Sequence, residues 1–501
     1  MLYDIFPHLL NNENEPAVCY RDLSLTYQNL NQMLLDVDKA IDYKSCPQVI
    51  AIFMDRSLEL VLSTLSIFLS SHIFCIIDVN TPQDTLVGII NELGTNLIFT
   101  DKKQFNKLTD LAEINRWNTV VFSAQEDWKT VTIEKNICFE NVEAEIDNDD
   151  CSHIIYTSGS TNVPKGIISS RKALLNFIKW EKEYLRIQKP INVAQMSTPW
   201  FDPYMRDIFL PLSCGGCICL PTKREYFDPK AFFDFAEDKK VDLVHIVPTL
   251  FRQLFLNSRA QRQHNIKNIL LAGEMIYGAD IKKYFDFYNS GTLFNLYGPS
   301  ETTLAKFCYK ISAEDTENTR IKVGKPIDNT FFKVVDSDGA EVSAGEIGEV
   351  IIYTKDCSYG YLNNPQKNME AFNRENEYVS FRTSDTGFVH EDGNLELVGR
   401  LDSMHKVYGQ KVYPEEIEAA VMLCSQVKKC RCDIQDNQIK AIIEVMPDFE
   451  KEALQKVIAN LSEYKRPRRI YVVGQVPTNK NGKVDRRASI DEMDIIEKFV
   501  L

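Results

Sequence analysis

The chain has 501 residues, of which 44% are hydrophobic, and its formal net charge is −14. This length is too great for one compact hydrophobic core and predicts a large domain with at least one smaller domain. The acidic balance argues against nucleic acid as the main partner, because no broad basic surface is available to neutralise phosphates.

The N-terminal segment MLYDIFPHLLNNENEP lacks the basic flank and the long apolar stretch of a secretory signal, which predicts a cytoplasmic protein. The most apolar segment, residues 60–79, is interrupted by serines, a threonine and His72. A helix leading into a strand therefore explains it better than a membrane span, and no membrane insertion is expected.

Apolar runs typical of strands alternate with amphipathic segments typical of helices over most of the chain. The strand-like runs are residues 49–54, 73–79, 96–100, 119–122, 153–157, 244–248 and 268–273. This alternation predicts an α/β fold with largely parallel sheets in a large N-terminal domain.

The 13 cysteines are expected to be reduced thiols, since the chain is long and lacks a secretory signal. Cys214 and Cys217 form a CGGC sequence within the α/β region. No second CxxC and no nearby histidine completes a tetrahedral set, so a turn between apolar segments is favoured over a redox pair or a zinc site.

From about residue 320 the pattern changes to shorter strands joined by turns. DSDG (336–339) and EDGN (391–394) are typical of hairpin turns, because Asp and Gly accept the dihedral angles of such turns. After Asp402 a shorter alternation of helices and strands predicts a compact C-terminal unit. We therefore expect a core domain over residues 1–400, with a small β-subdomain over about 320–400, and a small mobile α+β domain over residues 401–501.

One loop with the residues of a phosphate-binding site follows an apolar strand. Residues 156–166, YTSGSTNVPKG, offer backbone N–H groups and hydroxyls that suit phosphate oxygens, and Lys165 adds a positive charge. The loop is not a Walker A motif, because Lys165 precedes Gly166 and Ile167 stands where a magnesium-binding hydroxyl would be. An ordinary Gly/Ser turn is the alternative.

Four further segments carry the residue types of a nucleotide site. NLYGPSETT (295–303) offers an aromatic ring, hydroxyls and a possible magnesium ligand, Glu301. FRTSDTG (381–387) supplies an acidic residue for ribose hydroxyls, VGRLDSMHKVYGQK (398–411) lies at the expected domain joint, and NKNGKVD (479–485) places a lysine on a tight turn. Each segment alone is compatible with a turn, a solvated charge or a linker.

Together, and in this order with LTYQNL (25–30) and GEIGEVII (345–352), these motifs resemble the adenylate-forming superfamily along nearly the whole chain. Within it they are similar to the amino-acid adenylation enzymes of nonribosomal peptide synthesis and to stand-alone D-alanine–carrier protein ligases. The resemblance implies activation of an amino acid with ATP and Mg²⁺ as an aminoacyl-AMP, with release of pyrophosphate. It also implies transfer of the aminoacyl group to the phosphopantetheine thiol of a carrier protein.

The resemblance assigns roles to individual residues. The ATP and AMP contacts that it implies are Thr157, Ser158, Gly159, Ser160, Thr161, Asn295, Tyr297, Gly298, Ser300, Asp385 and Arg400. Catalytic roles are implied for Lys165, for Glu301 as the magnesium ligand and for Lys483, which would bridge the substrate carboxylate and the reacting phosphate. Asp402 matches the hinge about which the small domain turns, and Gly409 lies where the family opens a channel for the thiol.

Asp202, in the Phe-Asp context of WFDPYMRDIF (200–209), matches the carboxylate that pairs with the substrate α-ammonium group. A buried carboxylate is costly unless it is paired, which favours an amino acid over a fatty or aryl acid. The remaining pocket residues implied are Pro203, Arg206, His245, Leu270, Ala272, Leu296, Leu304 and Ala305. Arg206 and His245 could pair with a polar or acidic substrate side chain; alternatively, Arg206 turns to solvent or pairs with Asp207. His245, flanked by apolar residues, is also typical of a satisfied core histidine.

The chain ends 15 residues after Arg486, and no phosphopantetheine attachment sequence is found. The thiol is therefore expected from a separate acyl or peptidyl carrier protein, with coenzyme A as the alternative. The basic run YKRPRRIY (464–471) could contact an acidic carrier surface or form a solvated face.

Four positions depart from the family pattern. Asn162, Ser384 and Pro414 stand in place of glycines, and Tyr408 in place of an arginine. Asn tolerates left-handed dihedral angles better than most residues, whereas Ser384 is expected to strain its turn. Tyr408, in place of the arginine, is expected to affect the efficiency of the transfer to the thiol.

Two other functions remain open at this point. One is an acyl-CoA or aryl-acid ligase, in which Asp202 serves another purpose. The other is a catalytically inactive nucleotide-binding scaffold, against which the retention of the charged motif residues counts.

Overall fold

The structure is a computed structural model that describes residues 6–10, 14–41, 47–124, 130–136, 150–158, 164–256, 263–374, 377–408, 410–435, 438–478, 484–486 and 488–500. Within these residues the strands form four sheets and a two-stranded hairpin. The fold is α/β, as the alternating pattern predicts, with a smaller C-terminal α+β unit.

The largest sheet has nine strands in the described part of the chain, and its six central strands are parallel. In spatial order the strands are Lys325–Pro326, Phe307–Lys310, Thr292–Tyr297, Asn268–Ala272, Leu243–Ile246, Asn192–Ala194, Cys217–Cys219, Pro16–Tyr20 and Leu23–Thr26. The central strands are buried on both faces, which explains their nearly continuous apolar sequences.

The second sheet has eight strands among the described residues, with a parallel centre and antiparallel edges. In spatial order they are Gly360–Tyr361, Pro164–Ser170, Cys151–Ser158, Ile73–Ile76, Val49–Phe53, Leu97–Asp101, Asn118–Ala124 and Val131–Asn136. The two strands that flank the predicted phosphate loop, Cys151–Ser158 and Pro164–Ser170, are therefore neighbours and form an antiparallel pair.

Helices cover the two large sheets and connect their parallel strands. In chain order the helices are Pro7–Leu10, Tyr27–Ile41, Leu58–Leu69, Gln83–Leu93, Lys102–Ile114, Arg171–Tyr184, Pro203–Ser213, Lys223–Phe227, Pro229–Asp238, Pro248–Phe251, Gly278–Phe287, Pro365–Ala371, Pro414–Val421 and Lys451–Ile458. Several begin at side-chain caps, as where the hydroxyl of Ser57 accepts a hydrogen bond from the backbone N–H of Leu60 at 3.1 Å.

The apolar segment at residues 60–79 contains the end of the helix Leu58–Leu69 followed by the strand Ile73–Ile76. This confirms the interpretation as a helix leading into a strand. Across the described ranges, no helix combines the length and the apolar character needed to cross a membrane.

The β-subdomain is an antiparallel sheet of short strands and turns. Its strands are Thr330–Val335, Gly348–Thr354, Val379–Val389, Phe372–Asn373 and Leu395–Arg400. Both predicted turns are present. The Asp336 carboxylate accepts backbone hydrogen bonds from Asp338 and Ala340, and the second turn brings His390 N within 2.9 Å of the Asn394 carbonyl oxygen.

The C-terminal unit has its own sheet and its own apolar core. The hairpin strands His405–Val407 and Gln410–Val412 precede a sheet of Val427–Gln435, Gln438–Val445, Arg469–Val473 and Ile495–Val500. Described apolar side chains between Val407 and Phe499 form one cluster, against which Tyr277 of the earlier chain also packs. This separate cluster supports a domain division after residue 400, which we retain as a proposal.

The CGGC sequence forms a turn between a helix and a strand. Gly215 has a φ of +73°, and Cys214 donates to the carbonyl of Pro211 at the helix end. Cys217 instead lies beside Cys19 and Cys219, with the three buried sulfur atoms all within 4.8 Å of one another. No fourth cysteine, histidine or carboxylate joins these three thiols within the described ranges, and the backbone at Gly215 agrees with the turn interpretation of CGGC.

Ser384 lies where the strand Val379–Val389 departs from regular pairing. The register between this strand and Gly348–Thr354 shifts between Glu349 and Ile351, and Ser384 has a φ of +59°. A left-handed conformation costs a residue with a side chain about 1–2 kcal/mol, so the expected strain at this turn is present. Its backbone N–H donates to the Glu349 carboxylate at 3.3 Å, which holds the irregular backbone in place.

Replacing Ser384 by glycine should stabilise the protein. Relief of the left-handed backbone outweighs the larger entropy of an unfolded glycine, and a net gain of about 0.5 kcal/mol in the free energy of unfolding is expected. Urea denaturation of the whole chain measures it. Ser380→Gly, in the same strand but without a positive φ, is the control and should instead destabilise by about 1 kcal/mol. Equal effects of the two substitutions would contradict the assignment of strain.

Candidate active site

Asp385 and Arg400 are brought together by sheet pairing. They lie directly opposite each other in the antiparallel strands Val379–Val389 and Leu395–Arg400, and Arg400 Nη1 donates to Asp385 Oδ1 at 3.1 Å. The other carboxylate oxygen accepts a hydrogen bond from the Tyr297 hydroxyl, which comes from the end of a strand in the largest sheet. Three of the predicted nucleotide-binding residues therefore form one hydrogen-bonded group.

Burial raises the pKa of Asp385, and the nearby Arg400 guanidinium opposes this shift. The pKa of Tyr297 lies well above its usual value, first because of burial and then because of the Asp385 charge. Tyr297 therefore stays a hydroxyl donor at neutral pH. The carboxylate oxygens keep further acceptor capacity, which is the chemistry needed to bind the hydroxyls of a ribose.

Arg400 also contacts the predicted hinge. Its Nε donates to Asp402 Oδ1 at 3.0 Å, while Nη1 holds Asp385. The guanidinium thus connects the nucleotide-binding sheet to the first residues of the C-terminal unit. Arg400 and Asp402 are both about half exposed, so the pair between them is inexpensive to break.

Glu301, the predicted magnesium ligand, is held by a residue that the motif analysis did not include. The Tyr361 hydroxyl donates to Glu301 Oε1 at 2.7 Å, and Tyr361 is 7% exposed. The two residues are 60 positions apart, and Tyr361 lies in none of the motifs, so no local spacing predicts the contact. The second carboxylate oxygen remains a hard oxygen ligand of the type Mg²⁺ prefers.

Lys165 lies near the start of the strand Pro164–Ser170, which pairs with the short strand Gly360–Tyr361. In the sheet register Tyr361 pairs with Ile167, and Thr157 pairs with Lys165. Lys165, Thr157 and Glu301 are therefore placed at one end of these strands. The loop residues Gly159, Ser160, Thr161 and Asn162 lie outside the described residues, as do Gly409 and Lys483.

Asn295 lies in the same strand as Tyr297, and Gly298 follows the end of that strand. The Asn295 amide nitrogen donates to the carbonyls of Ile321 and Lys322 at 3.2 and 2.9 Å, so an adenine contact would be left to its oxygen. A Cβ atom at Gly298 would lie 2.4 Å from the carbonyl oxygen of Leu304, which explains why this position has no side chain.

The segment after Ser300 has a constrained backbone. Ser300 begins a 3₁₀ turn over Ser300–Thr302, and Thr303 and Leu304 follow with φ values of +61° each. The Thr303 hydroxyl oxygen is buried and has no hydrogen-bond partner among the described residues. A buried hydroxyl two residues from Glu301, together with its carboxylate and Lys165, fits a phosphate and magnesium site.

The residues of the predicted acid pocket lie around one apolar cluster. Leu270, Leu296, Leu304 and Ala305 belong to the same buried cluster, and Ala272 packs against it. Strand register places His245 beside Leu270 and Ala272 beside Leu296. Asp202 is buried at the N-cap position of the helix Pro203–Ser213, of which Pro203 is the first residue.

The partner of Arg206 is neither solvent nor Asp207, and here the sequence interpretation needs correction. Arg206 is 2% exposed and forms a bidentate pair with Glu181, in which Nε lies 3.1 Å from Oε1. Asp207 instead binds His245, with Nδ1 2.7 Å from Oδ1. His245 Nε2 lies 3.3 Å from Glu181 Oε1, so the four side chains form one buried charge network.

Burial alone would raise the pKa of Glu181, but the Arg206 and His245 charges reverse this effect and lower the pKa to about 2. Glu181 therefore stays ionised, and it neutralises Arg206 inside the protein. Glu181 lies in the helix Arg171–Tyr184, 25 residues before Arg206, with no sequence motif to identify it.

Residues 8–362 match the family model described as "AMP-binding enzyme". The chain belongs to the AMP-binding enzyme family. It is an adenylate-forming ligase.

This AMP-binding enzyme is similar to curated proteins over nearly its whole length. It is 27% identical over 497 residues to zwittermicin A synthase ZmaJ from Bacillus cereus, covering 96% of this chain and 92% of that protein. It is 26% identical over 516 residues to the D-alanine–D-alanyl carrier protein ligase of Bacillus cereus strain Q1, covering 98% and 99% of the two chains.

A solved structure shares the fold. The anthranilate CoA ligase AuaEII in complex with anthranoyl-AMP superposes with a TM-score of 0.80 at 20% identity, covering 96% of this chain and 95% of that chain. At this identity the likeness establishes the fold of the AMP-binding enzyme and not its acid substrate.

Glu181→Gln should destabilise this AMP-binding enzyme strongly. Breaking a buried pair leaves Arg206 uncompensated, which typically costs about 3–5 kcal/mol. Glu183→Gln, on the exposed face of the same helix, is the matched control and should cost less than about 0.5 kcal/mol. Urea denaturation compares the two variants, and a similar small effect of both would contradict the network.

The same pair predicts a window of acid sensitivity. The Glu181 pKa is lowered from 4.5 to about 2 in the folded protein, so its contribution to stability is full above pH 4.5 and is lost as pH falls towards 2. The stability difference between the wild type and Glu181→Gln should therefore shrink over this range. A constant difference in urea denaturation at these pH values would count against the ionised pair.

Proposed function

We propose that this chain activates an amino acid with ATP as an aminoacyl-AMP and then transfers the aminoacyl group to the phosphopantetheine thiol of a separate carrier protein. The observation that carries the first step is the grouping of Tyr297, Asp385 and Arg400 beside the pair of Glu301 and Tyr361. Ribose-binding and metal-binding chemistry is thereby supplied by segments far apart in sequence.

In the proposed adenylation step, an oxygen of the substrate carboxylate attacks the α-phosphorus of ATP. A bond forms between that oxygen and phosphorus, the bond from the α-phosphorus to the bridging oxygen breaks, and pyrophosphate leaves. Asp385 would hold the ribose, and Lys165 would offset phosphate charge. Mg²⁺ bound at Glu301 would supply further electrostatic compensation.

The preference for an amino acid is supported by the charge balance of the pocket. Arg206 pairs with Glu181, and His245 binds Asp207, so neither side chain calls for an acidic substrate side chain. Asp202 is a further buried carboxylate at the helix N-cap. A carboxylate buried at this position is of the type that pairs with the α-ammonium group of an amino acid.

The names of the relatives agree with this choice. ZmaJ is a zwittermicin A synthase, and the second relative is a ligase that joins D-alanine to a carrier protein. Both similarities extend over the whole length that the proposed two-step reaction would require.

The second step, attack of a thiol on the activated carbonyl, requires the small domain to turn about Asp402. Lys483 would withdraw and the segment at Gly409 would open a path for the phosphopantetheine arm. The turn must break the exposed contact between Arg400 and Asp402, which is a small cost. Tyr408, 62% exposed with a φ of +50°, would lie at this path.

Part of the basic run at residues 464–471 is engaged within the protein. Lys465 pairs with Glu416, and Arg466 donates to the carbonyls of Leu461 and Ala459. Arg469, the first residue of the strand Arg469–Val473, is exposed. A carrier protein would therefore meet only some of these positive charges.

Pyrophosphate exchange over a panel of amino acids and their des-amino analogues tests the proposal. One amino acid should support exchange, and Asp202→Asn should lower its kcat/KM by about 100-fold or more, because the α-ammonium group loses its buried partner. The des-amino analogue should be a poor substrate for both proteins and insensitive to the substitution. Asp84→Asn, exposed on the helix Gln83–Leu93, is the control and should be neutral.

Other outcomes identify the competing functions. Exchange with acids that lack an α-amine, unaffected by Asp202→Asn, would indicate an acyl or aryl ligase. Absence of exchange with every acid would indicate a scaffold. Transfer of the labelled acid to a phosphopantetheinylated carrier protein, compared with coenzyme A, decides the thiol acceptor.

A further inference from the structure

Lys367 lies next to the proposed phosphate-binding residues, although none of the sequence motifs includes it. It belongs to the helix Pro365–Ala371, where its backbone N–H donates to the N-cap side chain of Asn364 at 3.1 Å. Its ammonium nitrogen lies 4.9 Å from the centre of the Tyr361 ring, and the side chain is half-buried. The capped helix and the ring contact together fix the direction in which the charge points.

The ring beneath Lys367 is the one that positions the proposed magnesium ligand. The Tyr361 hydroxyl donates to Glu301 Oε1 at 2.7 Å, and the Tyr361 side chain is buried. The Lys367 ammonium group and the Glu301 carboxylate thus contact the ring and the hydroxyl of the same tyrosine. A phosphate held through Mg²⁺ at Glu301 would therefore lie near Lys367.

Lys367 also lies beside Lys165. The backbone N–H of Leu362 donates to the carbonyl of Gly166 at 2.8 Å, which holds this segment against the start of the strand Pro164–Ser170. Lys165 directly precedes Gly166 in that strand, and burial and the charge of Lys165 both lower the pKa of Lys367. Two ammonium groups held near each other repel unless an anion neutralises them.

The electrostatics of Lys367 agree with this arrangement. Its pKa is lowered to about 8, first by burial and then by the neighbouring Lys165, while Glu301 acts in the opposite direction. Glu370 on the same helix gives some compensation, yet the repulsion from Lys165 remains. The pair of lysines therefore has the character of a site prepared for a polyanion.

We propose that Lys367 and Lys165 together bind the pyrophosphate part of ATP, so that Lys367 is a second phosphate-binding lysine of this chain. The inference rests on the proposed function and deepens it. Asp385 and Arg400 are assigned to the ribose, whereas Glu301 is held by Tyr361, the residue whose ring lies beneath Lys367. ATP carries two phosphates beyond the α-phosphate and AMP carries none, so the two lysines are expected to distinguish ATP and pyrophosphate from AMP.

Nucleotide binding without any acid substrate tests the proposal. Isothermal titration of the whole chain with ATP, with pyrophosphate and with AMP, all with Mg²⁺, gives the dissociation constants. Lys367→Gln should weaken ATP and pyrophosphate binding roughly 10-fold, as for loss of one charge-assisted hydrogen bond, and Lys367→Glu should weaken both further. AMP binding should change by less than about twofold in both variants.

Lys355→Gln is the matched control. The Lys355 ammonium also lies over a tyrosine ring, 5.0 Å from the centre of Tyr378, but it pairs with Glu377 instead of facing a second lysine. This variant should bind ATP, pyrophosphate and AMP as the wild type does. Thermal unfolding of each variant without nucleotide shows whether the fold is kept.

The outcomes separate this inference from the proposed function. Equal loss of ATP and AMP binding in the Lys367 variants, or no loss of either, would overturn the role of Lys367 while amino-acid activation could still be shown by pyrophosphate exchange. A selective loss of ATP and pyrophosphate binding would establish that role even if no amino acid supports exchange.

Discussion

Compensation of buried charge is the constraint on which both the core and the proposed nucleotide site of this protein depend. Inside the large domain, Arg206 and Glu181 are 2% and 1% exposed, and neither could be buried alone without a large cost. His245 and Asp207 complete the same network. The other carboxylate oxygen of Asp207 accepts a hydrogen bond from the backbone N–H of Ser197, so the network is suited to fixing the position of the strands and helices around it.

The carboxylates of the proposed nucleotide site differ from those of the buried network, because they are only partly hydrogen-bonded. Asp385 receives hydrogen bonds from Tyr297 and Arg400 but retains acceptor capacity, and Glu301 receives one from Tyr361. These contacts orient the two carboxylates but leave oxygen lone pairs available. Oriented carboxylate oxygens that can accept further contacts therefore lie where a nucleotide and a metal ion are proposed to bind. Arg400 adds a hydrogen bond to Asp402, so one guanidinium contacts both Asp385 and the first residues of the C-terminal unit.

The parts of the fold that depend on local pattern could be predicted from the sequence. Apolar runs and Asp-Gly turns indicated the parallel sheets and the hairpins, and Ser384 was expected to be strained because it stands where the family pattern has a glycine. The parts that depend on long-range pairing could not. Glu181 lies 25 residues from Arg206 and Tyr361 lies 60 residues from Glu301, and no spacing rule connects these positions. The engagement of the Asn295 amide by backbone carbonyls is likewise a product of tertiary contact.

Strained backbone beside the carboxylates of the proposed site argues against a scaffold that has lost its ligands. Left-handed residues with side chains include Thr303 and Leu304 beside Glu301, Ser384 beside Asp385, and Tyr408 close to the domain joint. Each such residue costs free energy, and surrounding structure must hold it in place. At Ser384 that support comes from Glu349. At Leu304 it includes the close approach of its carbonyl oxygen to Gly298, where a Cβ atom would not fit. Strained residues next to Glu301 and Asp385, and a buried Thr303 hydroxyl without a partner among the described residues, are expected where a ligand supplies the missing interactions.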